Sequence, residues 1–186
     1  MNRIYNVLLI ILIIAAIIVG IMIFQKYYNE AKNQQELSEF VEEMEKENQD
    51  DKKYVYKGYQ VIGFIEIPKI DVKYPILSET SDESLKVSVT RFNKANINEI
   101  GNFAIAGHNN LSGTMFGKNK KLQNGDTIRL TDLKKNTVEY EVFDKYSIDP
   151  NDISCVEVVK PGTREVTLLT CTNGIRKRLV IKAREK

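Results

Sequence analysis

The stretch VTLLTC at residues 166–171, followed after a short connection by RLVIKA at residues 178–183, decides how this chain is read. Both segments are short, apolar and rich in β-branched residues, and the Asn173-Gly174 pair between them signals a hairpin. By strand alternation Thr167, Leu169 and Cys171 share one face. A two-residue type I′ turn at Asn173-Gly174 would set Thr172 opposite Ile175 and Cys171 opposite Arg176. Arg178 would then fall on the same face, diagonal to Cys171 and opposite Leu169. Spacing alone leaves Arg176 and Arg178 both open as the partner of the thiol. A guanidinium beside a thiol at a strand end favours the thiolate, which is the nucleophile. It also donates hydrogen bonds to an oxyanion formed when that thiolate attacks a carbonyl.

Upstream of the hairpin the texture from Val61 onward is the same. Short apolar segments occur at residues 61–67 (VIGFIEI), 72–77 (VKYPIL), 101–106 (GNFAIA), 126–130 (DTIRL), 138–146 (VEYEVFDKY) and, more briefly, 156–159. A second Asn-Gly pair, Asn124-Gly125, precedes the 126–130 segment. Thr80-Ser81-Asp82-Glu83 has the T-x-x-E form of a capping box and predicts a short helix. Many short strands at close spacing with little helix indicate a mainly β domain, a sandwich or closed barrel.

Of 186 residues, one is histidine and two are cysteine. His108 follows the 101–106 segment in AIAGHNN. A Cys–His–Arg set suits acyl transfer: the thiol attacks, the imidazole protonates the leaving amine, and the guanidinium stabilises developing charge. A lone His or Cys is more often a plain surface or packing residue, and the sequence alone does not bring His108 to Cys171. Cys155 and Cys171 with one His make no zinc set and no C-x-x-C pair. Residues 61–186 carry 20 basic and 16 acidic side chains, too even a balance for a nucleic-acid reader.

The N-terminal part is different. Residues 7–24 form an uncharged apolar run of 18, about 27 Å as a helix, which matches a bilayer's hydrocarbon core. No small-residue cleavage site follows, so the run reads as an uncleaved single-pass anchor. Six residues precede it (1–6, a cytoplasmic tail), which places the folded domain outside the cell. Residues 25–57 make a charged stalk in which Leu37, Phe40, Val41 and Met44 repeat at helical spacing. That stripe either packs on a neighbour or belongs to a solvated spacer; in both cases the stalk can hold the domain away from the membrane. Residues 58–186 are then the folded domain.

Four features, in order, carry a resemblance: the N-terminal anchor, the opening IGFIEIPKIDVKYPIL, the strand–histidine segment GNFAIAGHNN, and TLLTC with RLVIKA. Together they resemble a sortase, a membrane-anchored cysteine transpeptidase of Gram-positive cell surfaces. The resemblance covers about residues 60–184 and implies an eight-stranded β-barrel with short helices. It implies Cys171 as nucleophile, His108 as acid/base and Arg178 as the substrate-orienting, oxyanion-side arginine, with Thr170 and Leu169 lining the substrate groove. It favours Arg178 over Arg176, because RLVIKA matches the family's closing strand. The implied reaction cleaves a C-terminal LPXTG-like sorting signal of surface proteins. The acyl group then passes to an amine of a peptidoglycan precursor beside the membrane. Nucleic acid has no part in it. No cofactor is expected; some sortases bind calcium, but the acidic cluster at residues 149–152 is too thin for that. The short loops lean toward class D. A Cys155–Cys171 bridge would block the nucleophile, so free thiols are expected.

The rivals are an L,D-transpeptidase, a papain-like protease and a non-enzymatic surface-binding barrel. The first lacks its S-x-G-C-[IV]-R signature here. The second has its Cys before its His and opening a helix, the reverse of this order. The third treats His108 and Cys171 as structural.

Overall fold

The computed structural model describes residues 2–47, 53–157, 160, 162–172 and 176–186. One helix, α1 (Asn2–Lys46), runs unbroken from the apolar segment into the charged one. No Pro or interior turn signal interrupts it, and its second half is rich in Glu, Gln and Lys, all good helix formers. It is the one membrane-length apolar helix among the described residues, and none of its most apolar window is covered by protein. A helix this apolar and this uncovered belongs in lipid, as a single-pass anchor.

The strands are β1 (Val55–Tyr56), β2 (Tyr59–Ile67), β3 (Val72–Leu77), β4 (Val89–Arg91), β5 (Gly101–Ala106), β6 (Thr127–Asp132), β7 (Thr137–Ile148), β8 (Arg164–Thr172) and β9 (Lys177–Glu185). Their order is β1-β2-β3-β4-β5-β8-β9-β7-β6, and β6 pairs back onto β2. That last pairing closes eight strands, β2 to β9, into a barrel, with β1 as a short flap on β2. Closure demands a bend in β2. It comes at a bulge between Val61 and Gly63. Gly63 has φ +154°, and a Cβ there would lie 2.4 Å from the Thr131 carbonyl oxygen, so only glycine fits.

Pro68 ends β2 and starts a 3-10 turn, Pro68–Ile70, closed by Asp71 in the left-handed region. Pro75 sits inside β3, but pairing with β4 begins only at Ile76, so its missing N–H opens no gap in that ladder. The interior is filled by alternate residues of each strand, among them Ile65, Ile76, Phe103, Ile105, Leu168 and Ile181. Burying each such side chain contributes about 1.5–3 kcal/mol.

The charged half of α1 lies on β3. Leu37, Val41 and Met44 are fully buried there, with Phe40 tilted against Tyr56. Around them Gln34 donates to the Asp71 carbonyl, Lys73 pairs with Glu45 at 2.8 Å, and Lys57 pairs with Glu36 at 2.9 Å. The apolar stripe is therefore part of the barrel's own core and not a solvated spacer.

Two local expectations fail, and one strand had no forewarning. The helix at residue 80 is α2 (Asp82–Val87), and its cap is Ser81 with Ser84, one residue later than Thr80 with Glu83. Thr80 instead bonds the Thr90 hydroxyl and the Arg91 carbonyl, which holds it outside the helix. No strand forms from Val156: it ends a 3-10 turn, Ser154–Val156, and residues 158 and 159 lie outside the described residues. Strand β4 was hidden, because three residues are too few to show alternation.

Burial raises the hydroxyl pKa of Tyr74 and Tyr140 well above the usual 10.0. Above pH about 10 the unfolded chain releases these protons while the folded chain keeps them, so their stabilisation is full below that pH and is lost as pH rises. Equilibrium urea unfolding between pH 8 and 11 should show falling stability at the alkaline end. Tyr74→Phe should flatten the slope; an unchanged slope would remove Tyr74 from the account.

Candidate active site

Three neighbouring strands build the site. β5 and β8 run parallel, with Ala106 paired to Leu169. Both chains therefore leave the barrel at the same end, and His108 and Cys171 each follow two residues beyond a member of that pair. β9 returns antiparallel and sets Arg178 directly opposite Cys171. Val166 and Leu168 point into the main core, whereas Leu169 belongs to a smaller cluster with Ala104, Val180 and Cys155. By alternation Cys171 and Arg178 stand on this second, outer face of the barrel wall.

The register corrects the expected turn. A two-residue loop would have paired Cys171 with Arg176 and Arg178 with Leu169. Instead Leu169 pairs with Val180, Thr172 pairs with Lys177, and residues 173–176 make the connection. Eight consecutive pairs, from Glu165 with Arg184 to Thr172 with Lys177, fix this register against a local Asn-Gly preference. The Asn173-Gly174 turn itself falls outside the described residues. Arg176 sits in the connection, and Arg178 is the arginine of the strand.

His108, Cys171 and Arg178 line one cavity of about 360 Å³, together with Leu169, Thr170 and Phe92. Cys171 and His108 are exposed, while Arg178 is half-buried. The Arg178 guanidinium lies 5.7 Å from the Phe92 ring centroid, close enough for a cation–π contact that orients it. Asn109 donates to the Cys171 carbonyl at 2.7 Å, and the Gly107 amide donates to the Leu169 carbonyl at 3.0 Å. These two bonds tie the histidine loop to the cysteine strand. Gly107 is obligatory for close approach: a Cβ there would lie 2.7 Å from the Phe116 ring. Thr170 is buried, and its hydroxyl has no hydrogen-bond partner.

Phe92 and Asn109 were not singled out from sequence. Asn109 follows His108 directly, so its position carried a signal. Phe92 directly follows the concealed strand β4 and carried none. A larger cavity of about 540 Å³ opens at the other end of the barrel, around Ile97, Leu133 and Arg164, and holds neither thiol nor imidazole.

The second thiol has a different setting. Cys155 is buried, and desolvation raises its pKa, so it stays a neutral thiol. Its carbonyl accepts from Asn102 at 3.1 Å, Thr167 at 3.3 Å and the buried Lys182 ammonium at 2.9 Å. Lys182 also faces the buried Glu165 at 3.7 Å, and burial lowers the lysine pKa. Both cysteines are free. Among the described residues no group of three or more His, Cys, Asp or Glu side chains is arranged to hold a metal.

The sortase-domain family model matches residues 65–186. The chain belongs to the sortase family. Its matched stretch is 32% identical to sortase A of Listeria monocytogenes over 117 residues, 62% of this chain and 51% of that protein. The chain thus spans about half the length of the curated relatives it matches. Among solved structures, a sortase D5 transpeptidase of Clostridium perfringens superposes with a TM-score of 0.63 at 30% identity, covering 84% of this chain and 98% of that one. A Clostridium perfringens sortase C, solved with the C-terminal cell wall sorting motif, gives 0.61 at 26%, covering 87% and 90%. This sortase therefore shares its barrel with relatives of several classes, and the expected mainly β, eight-stranded fold is the fold observed.

Two measurements probe this site without a substrate. A thiol reagent should label Cys171 quickly in the native sortase and Cys155 only on unfolding; rapid labelling of both would contradict the burial of Cys155. Gly107→Ala should cost about 1–3 kcal/mol in denaturant unfolding, the penalty for overpacking against Phe116.

Proposed function

We propose that this chain is a sortase-type cysteine transpeptidase that cleaves a C-terminal LPXTG-like sorting signal and transfers the acyl group to a cell-wall amine. The supporting observation is the convergence of Cys171, His108 and Arg178 on one cavity. Cys171 is the nucleophile. Its thiolate attacks the scissile carbonyl carbon, forming a tetrahedral oxyanion. Arg178, facing it across the ladder, donates to that oxygen and orients the peptide. His108 delivers a proton to the leaving amine as the C–N bond breaks, leaving a thioester. An amine of a peptidoglycan precursor then attacks the thioester, yielding a new amide and returning the thiol. Thr170 and Leu169 line the groove that takes the bound peptide.

In this reading residues 1–6 are a cytoplasmic tail, 7–24 anchor the chain, 25–57 form the stalk and 58–186 form the catalytic barrel, which faces the cell exterior. The partners are surface proteins that bear the sorting signal, the membrane and the precursor amine. The connection between β7 and β8 holds only a 3-10 turn among its described residues, which supports a class D-like assignment over class B.

The full chain in detergent, given LPXTG-type peptides and an amine acceptor and read by mass, tests the proposal. Cys171→Ala should abolish cleavage and any acyl-enzyme mass. His108→Ala should lower kcat/KM by about 10²–10⁴-fold, and Arg178→Ala by about 10²–10³-fold. Arg176→Ala should leave it within a few fold of the parent. Full cleavage by Cys171→Ala would sink the proposal, and a larger loss at Arg176 than at Arg178 would sink the arginine assignment.

A further inference from the structure

The loop after His108 carries the most exposed large apolar side chain among the described residues of the barrel, Leu111 at 88% exposure. This loop is a built turn. The Gly113 amide bonds the Asn110 carbonyl at 3.0 Å, Asn110 bonds the Thr114 hydroxyl at 2.9 Å, and the Phe116 amide bonds the His108 carbonyl at 2.9 Å. Gly113 at φ +86° allows the reversal. Leu111 is thus presented at the tip of an ordered turn, where it gains nothing from water.

The same loop touches α1 near the end of the apolar run. Ser112 hydrogen-bonds Glu30. A cavity of about 400 Å³ has His108, Asn110, Thr114 and Met115 on one side and Lys26, Asn29, Glu30 and Asn33 of α1 on the other, with Lys86 at its rim. Phe24 is the last residue of the apolar run. At about 1.5 Å per residue, Lys26 is about 3 Å and Glu30 about 9 Å beyond it along the axis. The headgroup layer of one leaflet is about 5–7 Å deep. Because Leu37, Val41 and Met44 fasten the same helix to β3, the barrel cannot swing this loop away from the span.

We propose that the His108 loop is a membrane-docking surface: Leu111 enters the interfacial region of the bilayer while Lys26 and Lys86 face anionic lipid headgroups. Two further features fit this occupant. Tyr27 and Tyr28 are exposed immediately after the span, as interfacial aromatics are. Lys26 and Lys86 have long stems that let their ammonium groups reach the headgroup plane. Glu83 pairs with Lys86 at 3.5 Å in an exposed contact, too weak to withhold it from a lipid phosphate. The stalk therefore lowers the His108 end of the barrel onto the bilayer instead of lifting it off.

The chain has no tryptophan, so a single introduced one reports its own surroundings. Leu111→Trp and, as a reference, Ile100→Trp are made in the full chain and placed in nanodiscs of phosphatidylcholine with phosphatidylglycerol. Ile100 is 67% exposed and immediately precedes β5, at the end of that strand away from His108. The Leu111→Trp emission should be blue-shifted and quenched by lipids brominated high on the acyl chain, while Ile100→Trp stays water-like and unquenched. Adding Lys26→Glu and Lys86→Glu should reduce the quenching at position 111. Water-like, unquenched emission at 111, or equal quenching at both positions, overturns the proposal.

Discussion

The parallel pairing of β5 with β8 is the constraint on which the site depends. These strands are separated by more than fifty residues of chain, yet their register, Ala106 against Leu169, decides where His108 and Cys171 emerge. A slip of one residue would turn Cys171 from the outer face into the packed interior. A slip of two would carry the thiol most of 7 Å along the wall. The register is held from both faces: Phe103, Ile105 and Leu168 interlock inside, and Asn102 bonds Thr167 at 2.8 Å outside. The antiparallel return of β9 then needs only its own ladder to deliver Arg178.

Beside this ladder sits a buried polar network that a purely apolar wall would not need. Lys182, Asn102 and Thr167 donate to the Cys155 carbonyl and pin the 3-10 turn against the outer face, while Glu165 faces the Lys182 ammonium. Replacing one partner of such a cluster leaves a buried charge or donor unmatched, which costs far more than the pairing gains. The turn in turn packs Cys155 and Val156 with Leu169 and Phe92, the ring under Arg178. Position of the guanidinium is thus inherited from groups well below the cavity.

Much of this was legible in the sequence, because the period-2 segments and their turn residues are local signals. The apolar run at 7–24, the strands at 61–67, 72–77 and 101–106, and the two strands of the closing hairpin all declare themselves by composition. What was not legible depends on long-range pairing. Asn173-Gly174 invites a two-residue turn, but eight ladder pairs outweigh one dipeptide preference. Strand β4 has three residues and no readable alternation, so Phe92 was invisible as a neighbour of Arg178. The Leu37–Met44 stripe showed its helical period but not its partner, since only the closed barrel offers β3 as a surface. His108 and Cys171 were each ordinary in isolation, and it is the parallel crossover that makes them neighbours.

Helix α1 has a mechanical consequence. It passes from lipid to barrel wall with no hinge between residues 2 and 46. A domain mounted on such a shaft keeps one height and one tilt above the bilayer, and diffuses only in the plane. On the proposed reading, a sorting signal must then be presented at the one height above the bilayer at which α1 holds the cavity.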